Sequence, residues 1–349
     1  MHLKYYKLER PPFLLTPDPR FLFLSIAHSR ALTFMEYALL NRDGFAVISG
    51  EVGSGKTTLV SKLLTGLDAD TIVAKVYQTH VDGVEFLQIL LDEFGIHEYG
   101  NTKVTLLKQI NQYLLDAYAE NKKIVLIIDE AQNLSEKLLE EIRLLTDLET
   151  NDEKLMNLIL IGQPELNETL NRPQLEQLTQ RIRFRYHIGP LSEDEMRDYI
   201  YHRLVVAGND KKIFSAKAMP LLYKYTGGIP RLINSLCEVT LICGCEQGAD
   251  EISQGIVQLA IDELEWKPFN ERYKEFNKKA ALEKKKNIGQ HGIQLTTIEN
   301  KIDQFINSQD HSTQEMKHLL SRLEVKIEAY EEKLTSLNKQ IKTMSRKIK

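Results

Sequence analysis

Gly50-Glu51-Val52-Gly53-Ser54-Gly55-Lys56-Thr57 is the stretch that decides how this chain reads. It fits G-x-x-x-x-G-K-[ST], with the apolar run Phe45-Ala46-Val47-Ile48 before it and a helical pattern from about Lys56 after it. Strand, glycine loop and helix in that order make a phosphate cradle. Glycines let successive backbone N–H groups curl toward anionic oxygens where a Cβ would obstruct them. The N-terminus of the following helix adds partial positive charge. Gly50, Gly53, Ser54 and Gly55 are therefore expected to wall a nucleotide's phosphates, with Lys56 reaching the β- and γ-phosphates. The Thr57 hydroxyl is expected to take one position on Mg2+, and Thr58 beside it counts among the binding residues.

Working outward, short β-branched runs alternate with helical patterns from Phe45 to about Pro190, the signature of a parallel sheet flanked by helices. The runs are 45–48, 71–77, 124–128, 155–161 and 183–188, each almost continuously apolar, as strands covered on both faces are. The third ends in Ile127-Ile128-Asp129-Glu130. There Asp129 is expected to hold the metal through water and Glu130 to polarise the attacking water. Two adjacent acids favour hydrolysis over binding alone. Gln163 follows the fourth run and can reach the γ-phosphate or the water, or simply form the turn before Pro164. In Gln180-Arg181-Ile182-Arg183-Phe184-Arg185, one arginine can act as a finger on a neighbouring subunit's nucleotide. Arg181 is the first choice, while Arg183 and Arg185 alternate along a strand and suit surface or interface charges. Arg231, in Gly228-Ile229-Pro230-Arg231, opens a helix with proline in its first turn. It can swing onto the γ-phosphate or remain a helix-start surface charge.

Residues 192–264 read as a small domain of about four helices, opened by a Ser192/Glu195 capping box and punctuated at Ser215, Gly227-Gly228 and Asp250. After Trp266 the composition shifts. Residues 1–266 carry 27 basic and 38 acidic side chains, whereas 267–349 carry 18 and 11, so a body of charge −11 precedes a tail of +7. Such a split suggests separate partners for body and tail. Residues 267–292 read as a linker or exposed helix. In 293–349 a narrow apolar stripe returns at heptad spacing, with a stutter at Met316-Leu319-Leu323-Ile327. A coiled coil is expected there, the alternative being a helix folded back on the body.

The whole chain has 349 residues, 42% hydrophobic and 27% charged, enough for two or three globular domains. No apolar run reaches the ~18 residues of a membrane span, and the N-terminus lacks a secretory leader. Integral membrane, secreted and disordered classes are thereby disfavoured. Cys237, Cys243 and Cys245 form no CxxC pair, which argues against disulfides and zinc and for packing inside a helical region in a reducing cytoplasm.

Taken in order, the phosphate loop, Ile-Ile-Asp-Glu, Gly162-Gln163-Pro164-Glu165-Leu166, Gln180-Arg181-Ile182 and Gly228-Ile229-Pro230-Arg231-Leu232-Ile233-Asn234 resemble an AAA+ ATPase. More narrowly they resemble the family of general secretion pathway protein A, with pilus and exosortase or exopolysaccharide-locus ATPases. Pro12-Phe13, Thr16-Pro17-Asp18-Pro19, His28 and Ala31-Leu32 fit that family's opening, and the likeness covers about residues 4–264. The resemblance implies an α/β P-loop core over 1–190 with an N-terminal adenine-contacting segment, a helical lid over 191–266, the linker 267–292 and the coiled coil 293–349. It implies ATP and Mg2+ as cofactors, adenine contacts from the segment Phe13 to Pro19 and from His28, and sensor-1, finger and sensor-2 roles for Gln163, Arg181 and Arg231. The function expected is a cytoplasmic ATPase, peripheral to the inner membrane at most, supporting secretion, pilus or exopolysaccharide assembly. It would work as a homo-oligomeric ring or filament with a protein partner on the coiled coil. The transmembrane helix and peptidoglycan-binding domain of secretion members are not visible in this sequence. The same ATPase family also resembles transposition regulators, so a DNA-binding regulator of transposition or replication is the second expectation.

Overall fold

The structure is a computed structural model that describes residues 1–16, 18–40, 44–150 and 153–275, with Lys333 and Ser336. The chain divides into a unit of Met1–Asn270 and a second from Glu271 to Lys349. In the second unit, 271–275, Lys333 and Ser336 are helical. The coiled coil expected over 293–349, and most of the expected linker, lie outside the described residues.

Five strands form one parallel sheet: β1 (Phe45–Gly50), β2 (Thr71–Val76), β3 (Lys123–Ile128), β4 (Asn157–Gly162) and β5 (Phe184–Ile188), in the order β2-β3-β4-β1-β5. The runs read from the sequence fall on these strands, with small shifts at their ends. Leu155 and Met156 are buried but precede β4, and Tyr77 lies beyond β2 with 56% of its surface exposed. Apart from the four-residue α1 (His2–Tyr5), the first helices are α2 (Ile26–Leu40), α3 (Lys56–Thr65), α4 (Gly83–Glu93) and α5 (Lys103–Ala119). They are followed by α6 (Glu136–Thr146), α7 (Pro164–Leu170) and α8 (Glu176–Arg181).

Because side chains alternate across a strand, Phe45 and Val47 enter one core and Ala46 and Ile48 another. The first core takes Leu126, Ile128, Leu158 and Leu160 together with α4 to α8. The second takes Val125, Ile127, Ile159 and Ile161 with Met35 of α2 and Leu59, Val60 and Leu63 of α3. Burying both faces explains why β1, β3 and β4 are apolar without interruption. The edge strand β5 departs from the expected continuous run, because Arg185 and His187 face out of the core. Anchors such as Leu59 and Leu63, each worth roughly 1.5–3 kcal/mol when fully buried, fix α3 and so the loop that precedes it.

The remaining helices are α9 (Glu193–Val206), α10 (Met219–Thr226), α11 (Pro230–Glu246) and α12 (Gln254–Glu263). Ser192 and Glu195 cap α9 reciprocally, as their spacing requires. These helices share a third core, and the N-terminal residues Tyr6, Leu8, Phe13 and Phe21 bury their side chains in it. The opening segment, grouped with the α/β part in the sequence reading, therefore packs on the helical part. Arg203 of α9 explains why. The residue is 7% exposed, and its guanidinium donates to the Pro12 carbonyl and lies 4.8 Å over the Phe21 ring. Cys237, Cys243 and Cys245 all lie on α11 as free thiols; Cys237 is buried and the other two are half-buried. Among the described residues no helix is long and apolar enough to cross a membrane.

Candidate nucleotide-binding site

The sheet order sets the site. β4 lies between β1 and β3, so the chain leaving β4 at Gly162-Gln163 emerges between the phosphate loop after β1 and Asp129-Glu130 after β3. All three strands run the same way, and their C-terminal ends converge on one crevice. A cavity of about 360 Å3 opens there. Its walls include Gly53 to Thr58, Glu130, Gln163, Arg231, His28 and the segment Leu14–Thr16 with Asp18.

The loop has the geometry a phosphate needs. Gly53 and Gly55 take φ of +80° and +92°, a region that L side chains rarely adopt, and Gly55 caps α3. Space is equally restrictive at Gly53, where an added Cβ would sit 2.3 Å from the Cβ of Arg231. The Ser54 hydroxyl is buried and has no hydrogen-bond partner among the described residues. A buried hydroxyl beside a helix N-terminus suits an anionic oxygen, so the loop fits a phosphate. The Lys56 ammonium donates to the carbonyls of Gly50 at 2.7 Å and Glu51 at 2.9 Å, a flexible hold that keeps a cation inside the cradle. Burial lowers its pKa, and the carboxylates of Glu130 and Asp129 oppose that shift.

Thr57 Oγ1 donates to Asp129 Oδ2 at 3.2 Å, and Asp129 is 3% exposed. A hydroxyl and a carboxylate form an all-oxygen set that suits Mg2+, which binds through few protein ligands and completes its shell with water and phosphate. Glu130 follows with φ +54°, a left-handed conformation uncommon for a residue other than glycine, and its N–H donates to Asp129 Oδ1 at 2.9 Å. The turn presents its exposed carboxylate to the cavity. Gln163 Nε2 donates to Glu130 Oε2 at 3.2 Å, so the structure joins these two expected site residues directly.

Arg231 is exposed on the first turn of α11, and its N–H donates to the Gly53 carbonyl at 3.2 Å. Arg181 is placed elsewhere. It pairs with Asp147 beside Gly44 and Phe45, near the strand starts, and does not line the phosphate cavity. Arg185 is bound by Asn167 and Asn171.

Phe13 corrects one expectation. Its ring is 1% exposed and packs edge-on against Phe214, so it supports the helical core and makes no wall of the cavity. Its neighbours Leu14, Leu15 and Thr16 take that place. His28 lines the cavity but bonds to the loop itself. Its Nε2 lies 2.8 Å from the Ser54 carbonyl and its Nδ1 2.7 Å from Ser25 Oγ. A carbonyl only accepts, so Nε2 carries the proton and Nδ1 accepts from Ser25. Burial holds this imidazole below its ordinary pKa, in the neutral form.

Residues that the sequence reading missed complete the walls. Tyr199, Arg203 and Asn234 line the cavity: Arg203 donates to the Tyr199 hydroxyl at 2.8 Å, and that hydroxyl donates to Asn234 Oδ1 at 2.7 Å. Asn234 Nδ2 donates to the Leu14 carbonyl at 3.4 Å, tying the N-terminal segment down. Gln132, two residues past the acidic pair, contacts Glu130 and Gln163. Its one signal in the sequence is its place two residues beyond that pair.

Comparison with known proteins agrees with this geometry. Residues 40–170 match the AAA domain family. General secretion pathway protein A of Aeromonas hydrophila is 40% identical over 265 residues, which cover 76% of this chain and 48% of that protein. The chain thus spans about half the length of this relative. Among solved structures, the Cdc6p protein of Pyrobaculum aerophilum superposes with a TM-score of 0.57 at 17% identity, covering 71% of each chain. The Aeropyrum pernix ORC2 protein in its ADPNP–ADP complexes gives 0.56 at 17% identity, covering 73% of this chain and 72% of that one. These two share the fold. The AAA domain match, the fold and the identity together place the chain among the AAA+ ATPases, in the general secretion pathway protein A family.

Proposed function

We propose that the chain binds ATP with Mg2+ and hydrolyses it in the service of a bacterial envelope assembly system, whether secretion, pilus or exopolysaccharide export. The observation that carries this reading is one cavity in which a buried unpartnered Ser54 hydroxyl, the Lys56 ammonium, Glu130 and Gln163 converge. Lys56 and the loop N–H groups bind the phosphates. Thr57, and Asp129 through water, would hold Mg2+, which supplies charge neutralisation on the β- and γ-phosphates. Glu130 accepts a proton from the attacking water as its oxygen bonds to the γ-phosphorus and ADP leaves. Gln163 steadies the carboxylate that does this. The segment Leu14–Thr16 and the wall of Tyr199 and Asn234 take the base. Arg181, remote from its own chain's cavity, acts on a neighbour's nucleotide in a ring or filament, and Arg231 reports nucleotide state to the helical lid. The printed name of the Aeromonas relative supports secretion as the setting. Residues 293–349 serve partner or subunit recruitment, with the protein cytoplasmic or peripheral to the inner membrane.

The test pairs nucleotide titration with phosphate release. Lys56→Ala should abolish binding. Glu130→Gln should bind normally and lose on the order of 10²–10⁴-fold in turnover, because the amide keeps the shape of a base without its chemistry. Full hydrolysis by the Glu130 variant removes that residue from the mechanism, and a wild-type chain that neither binds nor hydrolyses ATP overturns the reading.

A further inference from the structure

Glu130 sits in a conformation that its own backbone disfavours, and something must hold its carboxylate in register. Gln132 uses both ends of its amide to do so. Its Nε2 donates to Glu130 Oε2 at 2.6 Å, and its Oε1 accepts the backbone N–H of Gln163 at 2.9 Å. With the 3.2 Å bond from Gln163 Nε2 to the same Glu130 oxygen, the three residues close a ring linking the ends of β3 and β4. Both bonds fall on Glu130 Oε2, so Oε1 stays outside that ring and can face a water.

The seat for Gln132 is cut to shape. Gly162, the last residue of β4, carries no Cβ, and one built there would lie 2.8 Å from Gln132 Oε1 and 3.2 Å from the Gln132 nitrogen. Gln132 is half-buried between Glu130 and Gln163, whereas Glu130 itself is exposed. An exposed carboxylate on a single left-handed residue has many competing rotamers, and a two-ended amide anchored to the neighbouring strand removes most of them.

We propose that Gln132 is a positioning residue for hydrolysis, fixing the Glu130 carboxylate by tying it to the backbone at Gln163. This rests on the reading of Glu130 as the base. Gln132 touches no reacting atom; it acts through Glu130. Misplacing a catalytic group by about 1 Å costs on the order of 10²-fold, and that is the scale expected when the tie is cut.

Two variants test it, with steady-state phosphate release and binding of a fluorescent ATP analogue measured on the full chain. Gln132→Met keeps length and loses both hydrogen bonds. Its kcat should fall about 10- to 100-fold, while KM and analogue affinity stay within about twofold of wild type, a change too small to register as a free-energy cost. Gln132→Glu is the sharper probe. When its added carboxyl is protonated, its O–H still donates to Glu130 and its carbonyl still accepts from Gln163. Once ionised, it has no donor and repels the Glu130 carboxylate. The ratio of its rate to wild type should therefore fall as pH rises. A flat ratio, or variants that raise KM with kcat unchanged, overturns the proposal. Should Gln132→Met unfold by circular dichroism, the pH ratio of Gln132→Glu decides alone. A wild-type chain that hydrolyses no faster than Lys56→Ala defeats the functional reading itself, whereas an active wild type matched by both Gln132 variants defeats only the role of Gln132.

Discussion

One wall of the cavity comes from seven consecutive residues, Val52 to Thr58. The facing residues Leu14, Tyr199, Arg203 and Asn234 come from segments about two hundred positions apart; the bond from Arg203 to Pro12 spans 191 residues and that from Asn234 to Leu14 spans 220. In the first wall the backbone conformation sets the shape, so glycines are required at fixed places and the sequence displays them. In the second wall side chains line the space, and any of several residue types at many positions would serve. A phosphate makes the same demand of every protein, and short-range geometry can meet it. A base can be held in many ways, so its site is written in tertiary contacts.

The largest effect we expect asks whether the first wall is complete within one chain. Arg181→Ala should lower turnover by about 10³-fold or more, and mixing it with Lys56→Ala protein should restore part of the activity at mixed interfaces. If Arg181 serves only to pair with Asp147 inside its own chain, the variant loses thermal stability and mixing restores nothing.

A smaller effect separates the two walls. Arg203 is a buried cation with no carboxylate within ion-pair distance among the described residues, held by the Pro12 carbonyl, the Tyr199 hydroxyl and the Phe21 ring. Arg203→Met should cost about 2–3 kcal/mol in thermal unfolding and weaken ATP binding by calorimetry, with kcat at saturating ATP nearly unchanged. A fall in kcat as deep as that of Glu130→Gln would show that the walls do not act separately.

The smallest effect concerns His28, which joins the N-terminal region to the loop. Burial holds its folded pKa below the ordinary value, so the unfolded chain binds the proton first as pH falls. Its stabilising contribution is full above about pH 6.5 and is lost as pH drops from there through the lower folded value. His28→Gln keeps a donor for the Ser54 carbonyl without titrating, and should remove up to about 1.4 kcal/mol per pH unit of acid-side slope in denaturant unfolding. His202, also lowered by burial, leaves a residual slope. An unchanged slope would place His28 outside the folding linkage.

The same contrast explains what was legible in the sequence. The central strands β1, β3 and β4 could be read because burial on both faces makes them apolar without a break, and Lys56, Thr57, Asp129 and Glu130 because they stand beside strands at fixed distances. β5, with Arg185 and His187 exposed, alternates instead. Phe13 was misplaced because an aromatic in a binding segment and an aromatic anchoring that segment look identical until Phe214 is seen against it. Arg203 and Tyr199, four residues apart on α9, look like ordinary helix-surface polarity, and only their burial reveals them. Gln132 was passed over because the motif was taken to end at its acids.

The hydrogen bond from the Arg231 nitrogen to the Gly53 carbonyl, with no room for a Cβ between them, ties the shape of the loop to the start of α11, the helix that the proposed function assigns to a lid. Thermodynamic reciprocity follows: whatever factor a nucleotide imposes on the affinity of a protein gripping the lid, that protein imposes on the nucleotide. Under the proposed function, a partner seated far from the phosphates would then shift their release without touching them.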